Sequence, residues 1–103
     1  MDITEWRRKI DELDRRLVEL LNERAHCAHE IGKLKRNSAM PIYEPDRERI
    51  IYDNIARNNA GPLSNMQLRQ VYERLIDVMR QIQRDEMVPA VDAVDDTELE
   101  PRD

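Results

Sequence analysis

The fold is decided by residues 3–34, which read ITEWRRKIDELDRRLVELLNERAHCAHEIGKL. Apolar side chains recur here at alternating spacings of three and four residues, the pattern of a helix that buries one stripe of its surface. This apolar stripe consists of Ile3, Trp6, Ile10, Leu13, Leu17, Leu20, Arg24, Cys27, Ile31 and Leu34. Cys27 takes the place of a small core residue. Arg24 is the exception, and its permanent charge requires an anionic neighbour, because an unpaired buried guanidinium costs several kcal/mol.

Composition predicts one small all-α domain. The chain has 103 residues with 2 Gly, no Phe and 38% charged residues, so its own core would be thin and we expect it to oligomerise. The net charge of -5 comes from residues 87–103, which hold six acidic residues and one arginine. Residues 1–86 are therefore neutral and offer no broad basic face, which argues against nucleic acid as a partner.

The sequence lacks the motifs of disulfide, metal and cofactor sites. A single cysteine cannot form an internal disulfide, and His26 and His29 lack the neighbours of a metal site, so we expect surface histidines and no metal. No Gly-rich phosphate loop or HExxH motif occurs, and we expect no cofactor. No signal peptide and no apolar run of about 20 residues is present, which predicts a cytoplasmic protein without membrane contact.

Capping signals divide the chain into three helices. Asp2 with Glu5 begins a first helix that runs to about Arg36; at roughly 1.5 Å per residue it is about 50 Å long and cannot cover its own stripe. A second helix begins at Glu44-Pro45 and ends at Gly61-Pro62, where Gly and Pro break helices.

The last helix leads into an acidic tail. Ser64 with Gln67 forms a second capping box and begins a third helix, which fades near Glu86. The sequence thus predicts a helical domain over residues 1–86 and an acidic, disordered tail over residues 87–103.

Several polar residues fall where a ligand could be bound. Arg24 and Lys35 are eleven residues apart, so they share a helix face and lie about 16 Å apart, which suits one small anion between them. Gly32 lies within this window and serves either the approach of a ligand or close helix packing. Arg47 at the start of the second helix opposes the helix dipole, and Glu48 follows it as a possible hydrogen-bond acceptor.

Together these residues resemble the all-helical class of chorismate mutases over about residues 5–85. The similarity is carried by WRRKIDELDRRLVELLNER, HEIGKLK, PIYEPDRER and VMRQIQ, and by an ordered polar set of Arg7, Arg24, Lys35, Arg47, Glu48 and Gln83. The resemblance implies an intertwined homodimer of three-helix chains, with each site built from both chains. It also implies the cofactor-free Claisen rearrangement of chorismate to prephenate in aromatic amino-acid biosynthesis.

The resemblance also implies a role for each site residue. Lys35, Gln83 and Arg24 would be catalytic: Lys35 and Gln83 would meet the ether oxygen, and Arg24 and the partner's Arg7 would hold carboxylates. A second set would bind the substrate around them: Glu48 and the backbone near Glu44 would take the ring hydroxyl, Arg47 would line the site, and Met79 stands where the family often has a small hydroxyl residue.

The sequence leaves two alternatives open. An isochorismate-pyruvate lyase would share the fold and the cationic pocket, so Arg24 and Lys35 do not discriminate, whereas Glu48 and Gln83 favour the mutase. The second alternative is a regulatory mutase-like module that acts with a shikimate-pathway enzyme through the dimer surface or the acidic tail.

Overall fold

The computed structural model of the chain describes residues 1–87, and this part contains three helices and no strand. The helices are α1 (Ile3–Ser38), α2 (Pro45–Asn58) and α3 (Asn65–Asp85). The predicted all-α class and the very long first helix are confirmed. Residues 88–103, which hold nearly all of the predicted tail, lie outside the described residues.

Capping boxes fix the beginnings of α1 and α3, and a proline fixes that of α2. Both predicted capping boxes form, with Asp2 accepting from the Glu5 N–H and Ser64 accepting from the Gln67 N–H. Pro45 occupies the first turn of α2 directly after Glu44. These boundaries match the prediction because each depends on residues within one turn of each other.

The end of α2 differs from the prediction. The helix ends at Asn58 instead of at Gly61-Pro62. The Asn59 amide donates to the Leu63 carbonyl oxygen at 2.9 Å, and its oxygen accepts from the Gly61 N–H at 3.0 Å. These side-chain bonds compete with helical ones and end α2 early.

Helices α1 and α3 pack closely around Gly32. A Cβ atom at this position would lie 3.0 Å from the Gln83 Cα and 3.0 Å from the Glu86 Cγ. Of the two interpretations of Gly32, close helix packing is therefore the one that the structure supports. Nearby, His29 pairs with the Glu86 carboxylate, and Arg36 donates to the Glu86 carbonyl oxygen at 3.1 Å.

Much of the apolar stripe is left uncovered by the rest of residues 1–87. Its first six members, from Ile3 to Leu20, are 45–62% exposed. Among residues 1–87 the buried apolar side chains are those of Ala28, Ile76 and Met79. The prediction that Cys27 belongs to the core is wrong for residues 1–87, because no helix of this part covers it and it lies exposed.

Among residues 1–87, the backbone of helix α2 packs on α3. It makes no close approach to the backbone of α1. Arg69 of α3 stacks on Tyr52 of α2, with its Cζ 3.9 Å from the ring centroid. No helix within residues 1–87 combines the length and the apolar character needed to cross a membrane.

Candidate active site

A cavity of about 380 Å³ opens where the C-terminal half of α1, the first turns of α2 and the C-terminal half of α3 meet. Its apolar wall includes Ile31, Ile51, Ile76 and Met79. Its polar lining is formed by Arg24, Lys35, Glu44, Arg47, Glu48, Arg80 and Gln83. Four cations and two carboxylates leave two positive charges in excess, so the lining favours an anionic ligand.

Lys35 is the most buried charged residue of this lining. Its exposed fraction is 3%, and its Nζ lies 2.7 Å from Glu44 Oε1, 2.9 Å from Gln83 Oε1 and 3.2 Å from the Ile42 carbonyl oxygen. An ammonium group has three donor hydrogens and no acceptor. Protein oxygens therefore satisfy the whole donor capacity of Lys35, and a ligand that binds it must replace one of them.

The contact with Lys35 also fixes the direction of the Gln83 amide. Because an ammonium group can only donate, Gln83 turns its oxygen towards Lys35. The amide nitrogen has no protein acceptor among residues 1–87. Gln83 thus keeps a neutral N–H donor beside a charged one, an arrangement suited to an oxygen that gains negative charge.

Arg80 and Glu48 form an ion pair between α3 and α2 on another wall of the cavity. Their side chains are 19% and 20% exposed, and Arg80 also donates to Asp77 at 3.2 Å. The hydrogen bond to Glu48 raises the pKa of the Arg80 guanidinium. Arg80 Nε is buried and has no hydrogen-bond partner within residues 1–87.

Arg24 and Arg47 supply the unpaired positive charge of the cavity. Neither forms an ion pair with another of the described residues. Arg24 Cζ instead lies 6.0 Å from the centroid of the Tyr72 ring. The anion that the sequence requires beside Arg24 is thus not supplied by residues 1–87, and the place beside it is the cavity.

Comparison with known proteins assigns the chain to a family. The family model for chorismate mutase type II matches residues 6–84. The chain belongs to the chorismate mutase type II family. It is 33% identical over 87 residues to a bifunctional chorismate mutase/prephenate dehydratase of Aquifex aeolicus, an alignment that covers 81% of this chain and 24% of that protein. The chain therefore spans about a quarter of that relative's length.

Two solved chorismate mutases share the fold. Form II of the Thermus thermophilus enzyme superposes with a TM-score of 0.78 at 26% identity, covering 80% of this chain and 93% of that one. The Helicobacter pylori enzyme, solved in complex with prephenate, gives a TM-score of 0.75 at 29% identity, covering 82% and 92%.

The structure brings together seven of the eight residues that the sequence singled out. The seven that line the cavity are Arg24, Lys35, Glu44, Arg47, Glu48, Met79 and Gln83. Arg7 does not line it, because it precedes Arg24 by 17 residues, about 25 Å along α1. Arg7 is therefore too far along α1 to reach the cavity of its own chain.

Arg80 lines the cavity but was not predicted from the sequence. A signal was present, since Arg80 precedes Gln83 by three residues and so shares its helix face. Its acidic partner Glu48 lies 32 residues away in the sequence, and no local pattern connects the two.

Proposed function

We propose that this chain is a chorismate mutase, which rearranges chorismate to prephenate in aromatic amino-acid biosynthesis. The observation that carries the proposal is the Lys35 ammonium 2.9 Å from the Gln83 amide, inside a cavity with an excess of positive charge. Chorismate presents two carboxylates, an enol ether oxygen and a ring hydroxyl. The lining has a complementary side chain for one carboxylate, for the ether oxygen and for the hydroxyl, and we propose that Arg7 of a partner chain takes the second carboxylate.

The rearrangement requires no covalent participation of the protein. The ether C–O bond breaks as a C–C bond forms between the enolpyruvyl methylene and the ring, all within one molecule. No proton is transferred and no nucleophile is needed. The protein contributes by holding a compact reactive conformation and by stabilising the negative charge that grows on the ether oxygen.

Lys35 and Gln83 are the catalytic pair in this proposal. The Gln83 amide nitrogen has no protein acceptor among the described residues, and it donates to the ether oxygen. Lys35 reaches the same oxygen by exchanging one of its three protein acceptors for the substrate. Glu44 is the partner that gives way, because its side chain is 37% exposed and belongs to the loop end that precedes α2.

The other lining residues bind the two ends of the substrate. Arg24 takes one carboxylate through charge-assisted hydrogen bonds, and Arg47 adds positive potential at the exposed rim. Glu48 accepts the ring hydroxyl with help from the backbone near Glu44. Met79 adds only apolar surface where a hydroxyl is common in the family.

A homodimer completes the site. The exposed apolar side chains of the stripe need cover, and burying one large apolar side chain contributes about 1.5–3 kcal/mol. If two α1 helices cross antiparallel about a two-fold axis near Leu17 and Val18, Arg7 of the partner chain faces residue 29. Arg7 then meets the second carboxylate in the middle of the window between Arg24 and Lys35.

We also propose that the chain acts in the cytoplasm. A lone cysteine fits the reducing cytoplasm. The Aquifex aeolicus relative is a bifunctional chorismate mutase/prephenate dehydratase, which supports an association of this domain with another shikimate-pathway enzyme.

The decisive experiment follows the loss of chorismate absorbance with the purified chain, in parallel with isochorismate and after exhaustive EDTA treatment. We expect turnover of chorismate, unchanged by EDTA, with prephenate as the product. Turnover of isochorismate alone would indicate a lyase. Activity that appears only after addition of a shikimate-pathway enzyme would indicate a regulatory module.

A further inference from the structure

Arg80 is the one charged residue of the described cavity lining that the proposed chemistry leaves without a task. It is held from three sides, by Glu48, by Asp77 at 3.2 Å, and by the Tyr43 ring, whose centroid lies 5.3 Å from the Arg80 Cζ. These contacts come from the loop before α2, from α2 and from α3. A guanidinium fixed in this way is rigid and has little freedom to turn towards a ligand.

The main partner of Arg80 is the residue proposed to accept the ring hydroxyl. Arg80 Nη2 donates to Glu48 Oε2, while Glu48 Oε1 has no side-chain partner among residues 1–87. The ion pair therefore occupies one carboxylate oxygen and leaves the other for a hydroxyl. It also fixes the side-chain rotamer of Glu48, so less conformational entropy is lost when a ligand binds.

The ion pair matters for charge as well as for position. An unpaired carboxylate at 48 would repel a substrate that carries two carboxylates, and this repulsion is strong in a partly buried cavity. Arg80 cancels that charge. Without Arg80 the lining would lose half of its positive excess.

Arg80 also fixes the first turn of α2 on α3, the helix against which the α2 backbone packs. Arg69 supports the same helix one turn later through Tyr52, but it does not line the cavity. The two arginines thus share a structural role, and Arg80 alone has a place beside the ligand.

We propose that Arg80 is a positioning residue that holds and neutralises Glu48, so that Glu48 accepts the substrate hydroxyl without repelling the substrate carboxylates. This inference rests on the proposed function. It predicts that Arg80 acts on substrate affinity through Glu48, and that its effect disappears once the Glu48 charge is removed.

The test compares Arg80→Met, Glu48→Gln and the double variant, with Arg69→Met as the matched control. Arg80→Met should raise KM for chorismate tenfold or more and lower kcat less. The double variant should have the same KM as Glu48→Gln within twofold, because Arg80 acts through the Glu48 charge and no carboxylate remains to repel the substrate. Arg69→Met should lower Tm by about as much as Arg80→Met does, because both remove a contact between α2 and α3. Its KM should stay within twofold of the parent value.

A conservative variant and a binding measurement complete the test. Arg80→Lys retains the charge and should restore most of the affinity, and it serves if Arg80→Met fails to fold. Calorimetric titration with prephenate should show the same order of Kd values without turnover. A KM within twofold of the parent in Arg80→Met, or independent multiplying effects in the double variant, would overturn the inference alone. A parent chain that neither converts chorismate nor binds prephenate would overturn the proposed function and this inference together.

Discussion

At the scale of single residues, the direction of the Gln83 amide decides what the site can do. Lys35 holds the Gln83 oxygen at 2.9 Å, so the amide presents its N–H to the cavity. This donor has no proton to lose near neutral pH, and the proposed reaction uses no general acid or base. We therefore expect the parent rate to be nearly flat from about pH 6 to 9.

Replacing Gln83 by Glu tests this donor. The carboxylate of Gln83→Glu cannot donate when ionised, and the neighbouring Lys35 favours its ionised form. The value of kcat at about pH 7.5 should fall by about 10²-fold, the usual effect of losing one preorganised donor, and should partly return towards about pH 5. The measurement is a pH profile of kcat for both proteins. Equal activity of the variant and the parent at about pH 8 would show that Gln83 makes no such contact.

Met79 gives a second prediction at this scale. Its side chain is 6% exposed and lines the cavity, but a thioether is only a weak acceptor. Met79→Ser should lower KM for chorismate if a substrate carboxylate lies within reach of the new hydroxyl. Met79→Ala is the matched control, because both truncations remove a buried side chain and should cost about 2–5 kcal/mol of stability. An equal KM in the two variants would assign Met79 to packing.

At the scale of helices, features set by neighbouring residues were predictable from the sequence, whereas contacts between residues far apart in the sequence were not. The boxes at Asp2 and Ser64 were predictable because capping residues lie three positions apart. The ion pair of Arg80 with Glu48 depends on how α2 packs on α3, which no spacing within one helix reveals. Cys27 was misplaced for the same reason, since the periodicity marks a stripe but not the helix that covers it.

A prediction at the scale of helices concerns the replacement of Gly32 by alanine. Alanine is favoured over glycine in a helix by about 1 kcal/mol, yet its Cβ would lie 3.0 Å from the backbone of Gln83. Because backbone cannot move aside cheaply, Gly32→Ala should lose about 1–3 kcal/mol of stability. It should also lower kcat, since separating α1 from α3 pulls Gln83 away from Lys35.

Thermal unfolding and initial rates test this expectation. Asn37→Ala, at an exposed position of the same helix, is the control and should keep both Tm and kcat. A Tm for Gly32→Ala that equals or exceeds the parent value would show that α1 and α3 have room to separate.

At the scale of the whole molecule, the tail should be dispensable for folding. Residues 88–103 lie outside the described residues, and their composition offers too little apolar surface to offset the entropy of ordering. A chain ending at Met87 keeps the pair of His29 with Glu86 and the bond from the Met87 N–H to the Arg84 carbonyl oxygen at 2.9 Å. Its Tm should stay within a few degrees of the full chain. A large decrease in a calorimetric scan would show that the tail docks on the helices.

Subunit exchange tests the proposed dimer. Arg7 lies about 25 Å before Arg24 on one straight helix and points roughly 100° away, so both cannot serve one site within a chain. Arg7→Ala and Arg24→Ala should each be nearly inactive as homodimers, because each loses a cation for a substrate carboxylate in both sites. A hybrid dimer regains one complete site, formed by Arg24 of the first variant and Arg7 of the second.

Random exchange places half of the chains in hybrids, so unfolding and refolding the mixed variants should restore up to about a quarter of the parent activity. The same mixture kept below the exchange temperature is the control and should stay inactive. Mass spectrometry under native conditions verifies that hybrids have formed. Verified hybrids without activity would show that Arg7 does not act across the interface, and the exposed stripe of α1 would then need a partner other than a second copy in this arrangement.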